Sequence, residues 1–339
     1  MRRWMECQSH NLLPDHTMKA TPYGDWVDAY NASYRVPESG ATSLPLMATA
    51  YFYRNCRIVE QVAGLLGNAE DQHRFQDRAE KTAAGFRRRF FCSQSNKYES
   101  KTQCSYVLPL AFGLVPEDRR AAVVANLVDD ILALHHGHLT VGLIGMQWYM
   151  QALTDMGRPD VAFAVATQTT RPSWGYMLSK GATSIWERWD QDTRDPGMNG
   201  ESQMILAGNL GAWFYQTLGG INYDSARPGF KHMILRPRPL GDLAWVTASH
   251  KCLYGTIRSA WRIENGIFHW KITVPPNTTA TIYVPTSEAV SVTEDGQSAA
   301  HVAGVRFLRN EGNAVVYEIA SGTYDFAARG FPVAQAPGA

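Results

Sequence analysis

Ahead of residue 226, apolar positions recur at helical spacing. From Leu44 through Met47, Ala48, Tyr51, Ile58, Val62 and Leu65 they trace one face, and Gly67 supplies a stop. A second helix follows at once with Phe75, Ala79, Ala83, Phe86 and Phe90 on one side, so the two predict a helical hairpin. Pro116 with Glu117 and Asp118 makes a good helix start, because proline gives up no needed donor and the carboxylates suit the positive helix end. Val124, Leu127, Val128 and Ile131 then form its apolar face. Segments 105–112, 142–156, 159–168 and 202–218 bring the total to about seven helices.

Beyond Arg227-Pro228-Gly229 the period changes to two. Phe268, Trp270, Ile272 and Val274 alternate with polar residues and stop at Pro275-Pro276. Ala280, Ile282 and Val284 repeat the pattern up to Pro285, as do Val315, Tyr317 and Ile319, then Tyr324 and Phe326. Short strands split by Gly, Pro and Asn turns predict an antiparallel β-sandwich. The expected organisation is a helical-hairpin domain over 1–226, a β-sandwich over 227–330, and a frayed tail over 331–339.

Composition narrows the function. At 339 residues the chain exceeds one ordinary core, in keeping with two domains. Lys and Arg total 32 against 31 Asp and Glu, and neither sign forms a long block, so nucleic acid and anionic membranes are not expected partners. The 45% hydrophobic content is that of a globular protein, yet no apolar run reaches the roughly 20 residues that cross a bilayer. The opening Met1–Glu6 lacks the apolar centre of a signal peptide. Five cysteines (Cys7, Cys56, Cys92, Cys104, Cys252) lie far apart without a Cys-x-x-Cys pair, which predicts reduced thiols and no zinc site. No Walker or Rossmann phosphate loop is present, and no cofactor is expected.

Two segments carry more aromatic and charged residues than a plain connector needs. One is Tyr23-Gly24-Asp25-Trp26; the other runs from Pro172 through Trp174, Tyr176, Trp186, Glu187, Arg188 and Trp189 to Asp190. Sugars offer apolar C–H faces ringed by hydroxyls, so flat indoles bind the faces while carboxylates and Arg bind the hydroxyls. Cleaving a glycosidic bond needs one protonated and one ionised carboxyl, and apolar surroundings help to tune them. A carboxylate between Trp186 and Trp189 suits that chemistry. Composition leaves a second reading equally open, in which the indoles fill a core and Glu187 pairs with Arg188 or another cation. His135, His136 and His138 lack an arranged carboxylate to complete a metal site, and capping or solvated histidines are expected there. Neither Ser173 nor Ser184 lies in a Gly-x-Ser-x-Gly elbow.

These segments resemble glycoside hydrolase family 78, the bacterial α-L-rhamnosidases. The likeness is carried by Trp174-Gly175-Tyr176-Met177, by Gly181 through Asp190, and by the Gly-Asp-Trp element at Gly24-Asp25-Trp26. Met198-Asn199-Gly200, the stretch around Trp213-Phe214-Tyr215, and Pro228-Gly229-Phe230-Lys231 are also similar to it. The resemblance implies an (α/α)₆ barrel followed by a C-terminal β-sandwich, and inverting hydrolysis of terminal α-L-rhamnosides. It implies Glu187 as general base, with Asp25, Trp26, Trp174, Trp186 and Trp189 lining the sugar pocket. Glu201 stands near where many members carry an Asn-His pair, as a polar pocket residue or the start of a helix.

The family's general acid lies in an Asp-Glu-Arg-Leu-Gly-Trp-like segment, and no such segment occurs in these 339 residues. About seven helices also fall short of a closed barrel, so the chain is expected to be the C-terminal part of a rhamnosidase, with the early helices missing. It is expected to act on rhamnose-containing glycosides, or else to be a non-catalytic carbohydrate-binding remnant, or a glycosidase of the same fold acting on another sugar. An open barrel edge exposes apolar helix faces and predicts self-association. The compartment is left open between cytoplasmic and secreted.

Overall fold

The computed structural model describes residues 1–19, 24–29, 40–193 and 207–331. The chain divides into two compact units, Met1–Asn209 and Leu210–Ala339. No helix among the described residues is long and apolar enough to cross a membrane.

The first unit is built from helical hairpins. Helix α1 (Arg2–Ser9) packs on α2 (Leu44–Leu65) through buried Met5. Helix α3 (Ala69–Phe90) returns along α2, and Phe52, Cys56, Val59, Phe75 and Ala79 close the seam. The turn between them follows from its residues: Gly67 takes the left-handed conformation at φ 70°, and the Asn68 side chain accepts the Asp71 N–H at 3.0 Å. Glu70 and Asp71 in the first turn of α3 and Arg87, Arg88 and Arg89 in its last complement the helix dipole.

Helix α4 (Gln103–Phe112) opens on a reciprocal capping box between Thr102 and Ser105. A short 3₁₀ turn, Glu117–Arg119, leads into α5 (Arg120–Asp129), which ends in a π turn, Asp130–Leu134. Helices α6 (Leu143–Asp155) and α7 (Pro159–Ala166) form the third hairpin. Helices α2, α4 and α6 pack side by side in that order, and α3, α5 and α7 each lie against the helix before. Their starts are tied together. The hydroxyls of Thr42 and Thr102 share a hydrogen bond of 2.7 Å, the Ser43 N–H donates to Ser100 Oγ at 2.9 Å, and the Thr140 N–H donates to Gln103 Oε1 at 2.9 Å.

Three elements of this unit depart from the periodicity. Helix α1 and the small hairpin β1 (Phe91–Cys92) with β2 (Lys97–Tyr98) carry too few apolar positions to announce themselves. Helix α8 (Trp174–Ser179) falls inside a segment expected to be loop. Of the helix expected at 202–218, residues 202–206 lie outside the described residues, and α9 (Leu210–Trp213) with the π turn Phe214–Leu218 that follows it opens the second unit.

The second unit holds two sheets around one core. In the first, β10 (Gln297–Ser298), β9 (Thr293–Glu294), β13 (Gly322–Ala328), β7 (Ile267–Val274), β6 (Gly255–Glu264) and β5 (Trp245–Cys252) run in that order. The second runs β11 (Val305–Glu311), β12 (Ala314–Ile319), β8 (Thr279–Val284), β4 (His232–Leu235) and β3 (Ile221–Tyr223). Trp261, Phe268, Trp270 and Phe326 face Met233, Leu235, Ile282, Val315 and Tyr317 across the core, the facing arrangement of a sandwich. The sequence-predicted alternation appears in β7 and β13, whereas β8 and β12 bury residues on both faces, among them Tyr283 and Val316. One pairing differs from the antiparallel expectation: β4 runs parallel to β8, because β5, β6 and β7 form the connection between them in the other sheet.

Candidate active site

The candidate residues gather where α6 begins. Asp25 comes from the short stretch Gly24–Ala29, and its carboxylate lies against the start of α6. Oδ2 accepts the Gly142 N–H at 2.9 Å and Oδ1 accepts the Gly145 N–H at 2.8 Å. Those amides would otherwise be orphaned donors at the helix N-terminus, so Asp25 acts as a cap from a distant stretch of chain. Burial pushes its carboxyl up from the ordinary range, and the two backbone N–H groups pull it back. The neighbouring Cys104 thiol is raised well above the usual value by burial and by the Asp25 charge.

Asp25 is 0% exposed, and both of its carboxylate oxygens face backbone amides of the α6 start. Trp26 beside it is half-buried, and its carbonyl accepts the Leu143 N–H at 2.9 Å. The Ala29 N–H donates to the Thr140 carbonyl at 3.1 Å. Between these two anchors Val27 is held at φ 56°, a conformation a β-branched residue adopts only under constraint, at about 1–3 kcal/mol.

The segment 138–142 is clamped from a second side. Gln103, fully buried at the start of α4, donates from Nε2 to the His138 carbonyl at 3.1 Å and accepts from Thr140 N–H and the Tyr149 hydroxyl. No composition or motif signal marks Gln103, whose importance lies in its placement. His138 uses both ring nitrogens locally, on the His135 carbonyl at 2.9 Å and Thr170 Oγ1 at 2.8 Å. Among the described residues no group of His, Cys, Asp and Glu gathers as a metal site.

The Trp-rich segment joins from a third side. Ser173 is a helix cap, its Oγ accepting the Tyr176 N–H at 2.9 Å to start α8. Trp174 is buried and meets Trp189 edge to face, with ring centroids 5.9 Å apart at 70°. Trp189, also buried, donates Nε1–H to the Val141 carbonyl at 3.3 Å, next to the amide that caps onto Asp25. Trp186 is buried as well, whereas Glu187 is half-buried. Arg188 is ion-paired with Asp190 at 3.2 Å. The Tyr176 hydroxyl donates to Asp192 Oδ2 at 2.7 Å, tying α8 to the end of the segment and raising the phenol's pKa.

The structure therefore brings Asp25, Trp26, Trp174 and Trp189 onto one hub, Val141–Gly145, with Trp186 and Glu187 on the segment that Trp189 anchors. Of the expected pocket residues, Trp26 and Glu187 keep some exposure, while Trp174, Trp186 and Trp189 are buried. Glu201 lies outside the described residues.

Residues 1–218 match the family described as the bacterial alpha-L-rhamnosidase 6 hairpin glycosidase domain, and residues 220–299 match the bacterial alpha-L-rhamnosidase C-terminal domain. An alpha-L-rhamnosidase of Streptomyces avermitilis is 32% identical over 329 residues, 96% of this chain and 29% of that protein. One from Formosa agariphila is 28% identical over 333 residues, 97% of this chain and 35% of that protein. The chain thus spans about a third of the length of these relatives. The S. avermitilis alpha-L-rhamnosidase structure complexed with L-rhamnose superposes with a TM-score of 0.84 at 31% identity, over 97% of this chain and 30% of that one. The alpha-L-rhamnosidase structure from Dictyoglumus thermophilum gives 0.86 at 29%, over 97% and 36%. With the family domain matched over more than half of its length, this chain belongs to the bacterial α-L-rhamnosidases of glycoside hydrolase family 78.

Proposed function

We propose that this chain carries the base half of an inverting α-L-rhamnosidase site, with Glu187 as general base. The observation that carries the reading is the setting of Glu187, a half-buried carboxylate on a segment pinned by buried Trp186 and Trp189 in the family's six-hairpin domain. Glu187 takes a proton from a water whose oxygen attacks the anomeric carbon. The glycosidic C–O bond breaks on the opposite face, and the leaving oxygen takes a proton from a second carboxyl. In inverting enzymes those carboxyls stand roughly 6.5–9.5 Å apart to admit the water. Asp25 does not suit the acid's role, since it is fully buried and both oxygens are occupied. Half-buried Trp26 supports the apolar face of the sugar, a terminal α-L-rhamnosyl residue, while buried Trp186 and Trp189 hold the segment that bears Glu187.

The lack of an Asp-Glu-Arg-Leu-Gly-Trp-like acid segment in the sequence favours a second reading, in which the 339-residue chain binds a rhamnoside without cleaving it. Hydrolysis of p-nitrophenyl α-L-rhamnoside by the chain and by Glu187→Gln separates the two. The first reading expects a rate that falls about 10²–10⁴-fold in the variant, with β-L-rhamnose the first product seen by NMR. Hydrolysis that survives in Glu187→Gln overturns the assigned base. Saturable L-rhamnose binding with no hydrolysis by either protein establishes the second reading.

The proposal extends to self-association. Among the described residues three hairpins form, α2/α3, α4/α5 and α6/α7, where the matched domain is named for six. Tyr51, Phe112 and Trp148 stand half-buried on α2, α4 and α6. Sedimentation velocity is expected to show mass rising with concentration, and a monomer throughout overturns the idea.

A further inference from the structure

We propose that Asp25 is a positioning residue for the Trp186–Asp190 segment, setting the place of the Glu187 carboxylate through the start of α6. This rests on the reading of Glu187 as the base. The contacts form one continuous path. Asp25 Oδ2 and Oδ1 hold the amides of Gly142 and Gly145, which fixes the first turn of α6. The residue before Gly142 is Val141, whose carbonyl accepts Trp189 Nε1–H at 3.3 Å. Trp189 is two residues beyond Glu187, and its ring also meets Trp174 edge to face. A shift of the Val141–Gly142 peptide therefore moves the indole that anchors the segment bearing the carboxylate.

The packing leaves no slack in this path. A Cβ on Gly142 would meet the Trp26 carbonyl oxygen at 2.1 Å and the Asp25 carbonyl oxygen at 2.5 Å. One on Gly145 would stand 2.7 Å from Val141 Cγ1. The Gly24–Ala29 stretch and the α6 start are thus in direct backbone contact, and a change at either is passed to the other. Asn at position 25 preserves the shape but sets an NH₂ group against one of the two amide donors, so it breaks one arm of the cap without opening a cavity.

The test reads Trp189 directly. The chain is labelled with 5-fluorotryptophan, and the Trp189 and Trp174 resonances are assigned by Trp189→Phe and Trp174→Phe. The expected result for Asp25→Asn is a shifted or broadened Trp189 signal, with the β-sandwich resonances of Trp261 and Trp270 unchanged. Ala79→Gly, in the α2/α3 seam, serves as a control for general loosening and leaves the Trp189 signal in place. A folded Asp25→Asn protein whose Trp189 signal coincides with the parent's overturns the proposal. Should Asp25→Asn fail to fold, Asp25→Ser keeps one acceptor for the helix start and is read in the same way. Where the chain hydrolyses p-nitrophenyl α-L-rhamnoside, Asp25→Asn is expected to lower kcat about 10²-fold with KM little changed. Activity that survives Glu187→Gln removes the base assignment while the fluorine result still decides whether Asp25 places the segment.

Discussion

Arg188 and Asp190 stand on either side of Trp189 and close an ion pair of 3.2 Å, with side chains only 6% and 13% exposed. The sequence alone left open whether Arg188 served Glu187, and the structure gives Arg188 this carboxylate as a partner. A pair so far from solvent is costly to break, because the remaining charge keeps its desolvation penalty. Asp190→Asn is expected to cost about 3 kcal/mol, the lower end of the range for a broken buried pair. Urea unfolding followed by tryptophan fluorescence checks it, and a midpoint equal to the parent's would mean that the pair contributes nothing net.

Two glycines near the site are needed for space. A Cβ on Gly175 would meet the Gln168 carbonyl oxygen at 2.2 Å, and one on Gly142 the Trp26 carbonyl oxygen at 2.1 Å. In both places the obstacle is backbone, which yields less readily than a side chain. Alanine at either position is expected to lower stability by about 3 kcal/mol or more, since overpacking of this kind costs 1–3 kcal/mol even where side chains can move. Among the described residues, nothing outside its own helix lies within 4 Å of that point on Gly211 in α9, so Gly211→Ala is expected to be neutral or to stabilise by up to about 1 kcal/mol. Thermal melts of the three variants side by side test the contrast.

How far the sequence reaches depends on whether an element's signal is local. The α2/α3 hairpin is legible because apolar residues repeat at helical spacing and Gly67 ends the first helix, yet the face traced through Tyr51, Ile58, Val62 and Leu65 is displaced from the buried one: Leu65 is exposed, and Phe52, Cys56, Val59 and Ala63 meet the core. Strands β7 and β13 are legible by their alternation, while β12 is buried on both faces. Strand β5 is not, because it is an edge strand whose inward residues, Val246, Ala248, His250 and Cys252, are half-buried and of mixed character. The parallel β4–β8 pairing is set by contacts far apart in sequence. Within the site, the density of Trp, Glu and Arg at 186–190 announces itself. Which wall Asp25 faces depends on α6, more than a hundred residues away, and Gln103 is one polar residue at a helix start with no pattern around it.

A second aromatic group gives a stability prediction clear of the Trp186–Asp190 segment. The Trp148 Nε1–H donates to the Tyr51 hydroxyl at 2.9 Å, Phe112 sits edge-on to both rings, and the Arg54 guanidinium lies 4.4 Å from the centre of the Trp148 ring. Burial raises the Tyr51 hydroxyl to about 12, so it stays protonated throughout the physiological range. Tyr51→Phe removes the acceptor while keeping the ring. The expected loss is about 1 kcal/mol, the usual net value of one hydrogen bond, read from the urea midpoint. A larger loss would show that the hydroxyl also organises Arg54.

The β-sandwich carries its own pH dependence at His232. The ring is buried in β4 and bridges two hydroxyls of β8, with Nδ1 2.7 Å from Thr279 Oγ1 and Nε2 2.9 Å from Thr281 Oγ1. Burial lowers its pKa and the Arg227 charge adds to this, against the opposing pull of Asp224 and Glu318. The neutral ring is therefore favoured in the folded state. Between the lowered folded value and the unfolded value near 6.5, the unfolded chain binds the proton more readily. Stability from this group is complete above about pH 6.5 and is lost as pH falls through the folded pKa. Urea midpoints at about pH 7.5 and about pH 5, followed by a probe of the second unit such as Trp261 or Trp270 fluorescence, should show that fall. His232→Gln can still bond to both threonines but does not titrate, so its midpoint should fall less over the same interval. An equal fall in parent and variant would place the pH sensitivity on other groups.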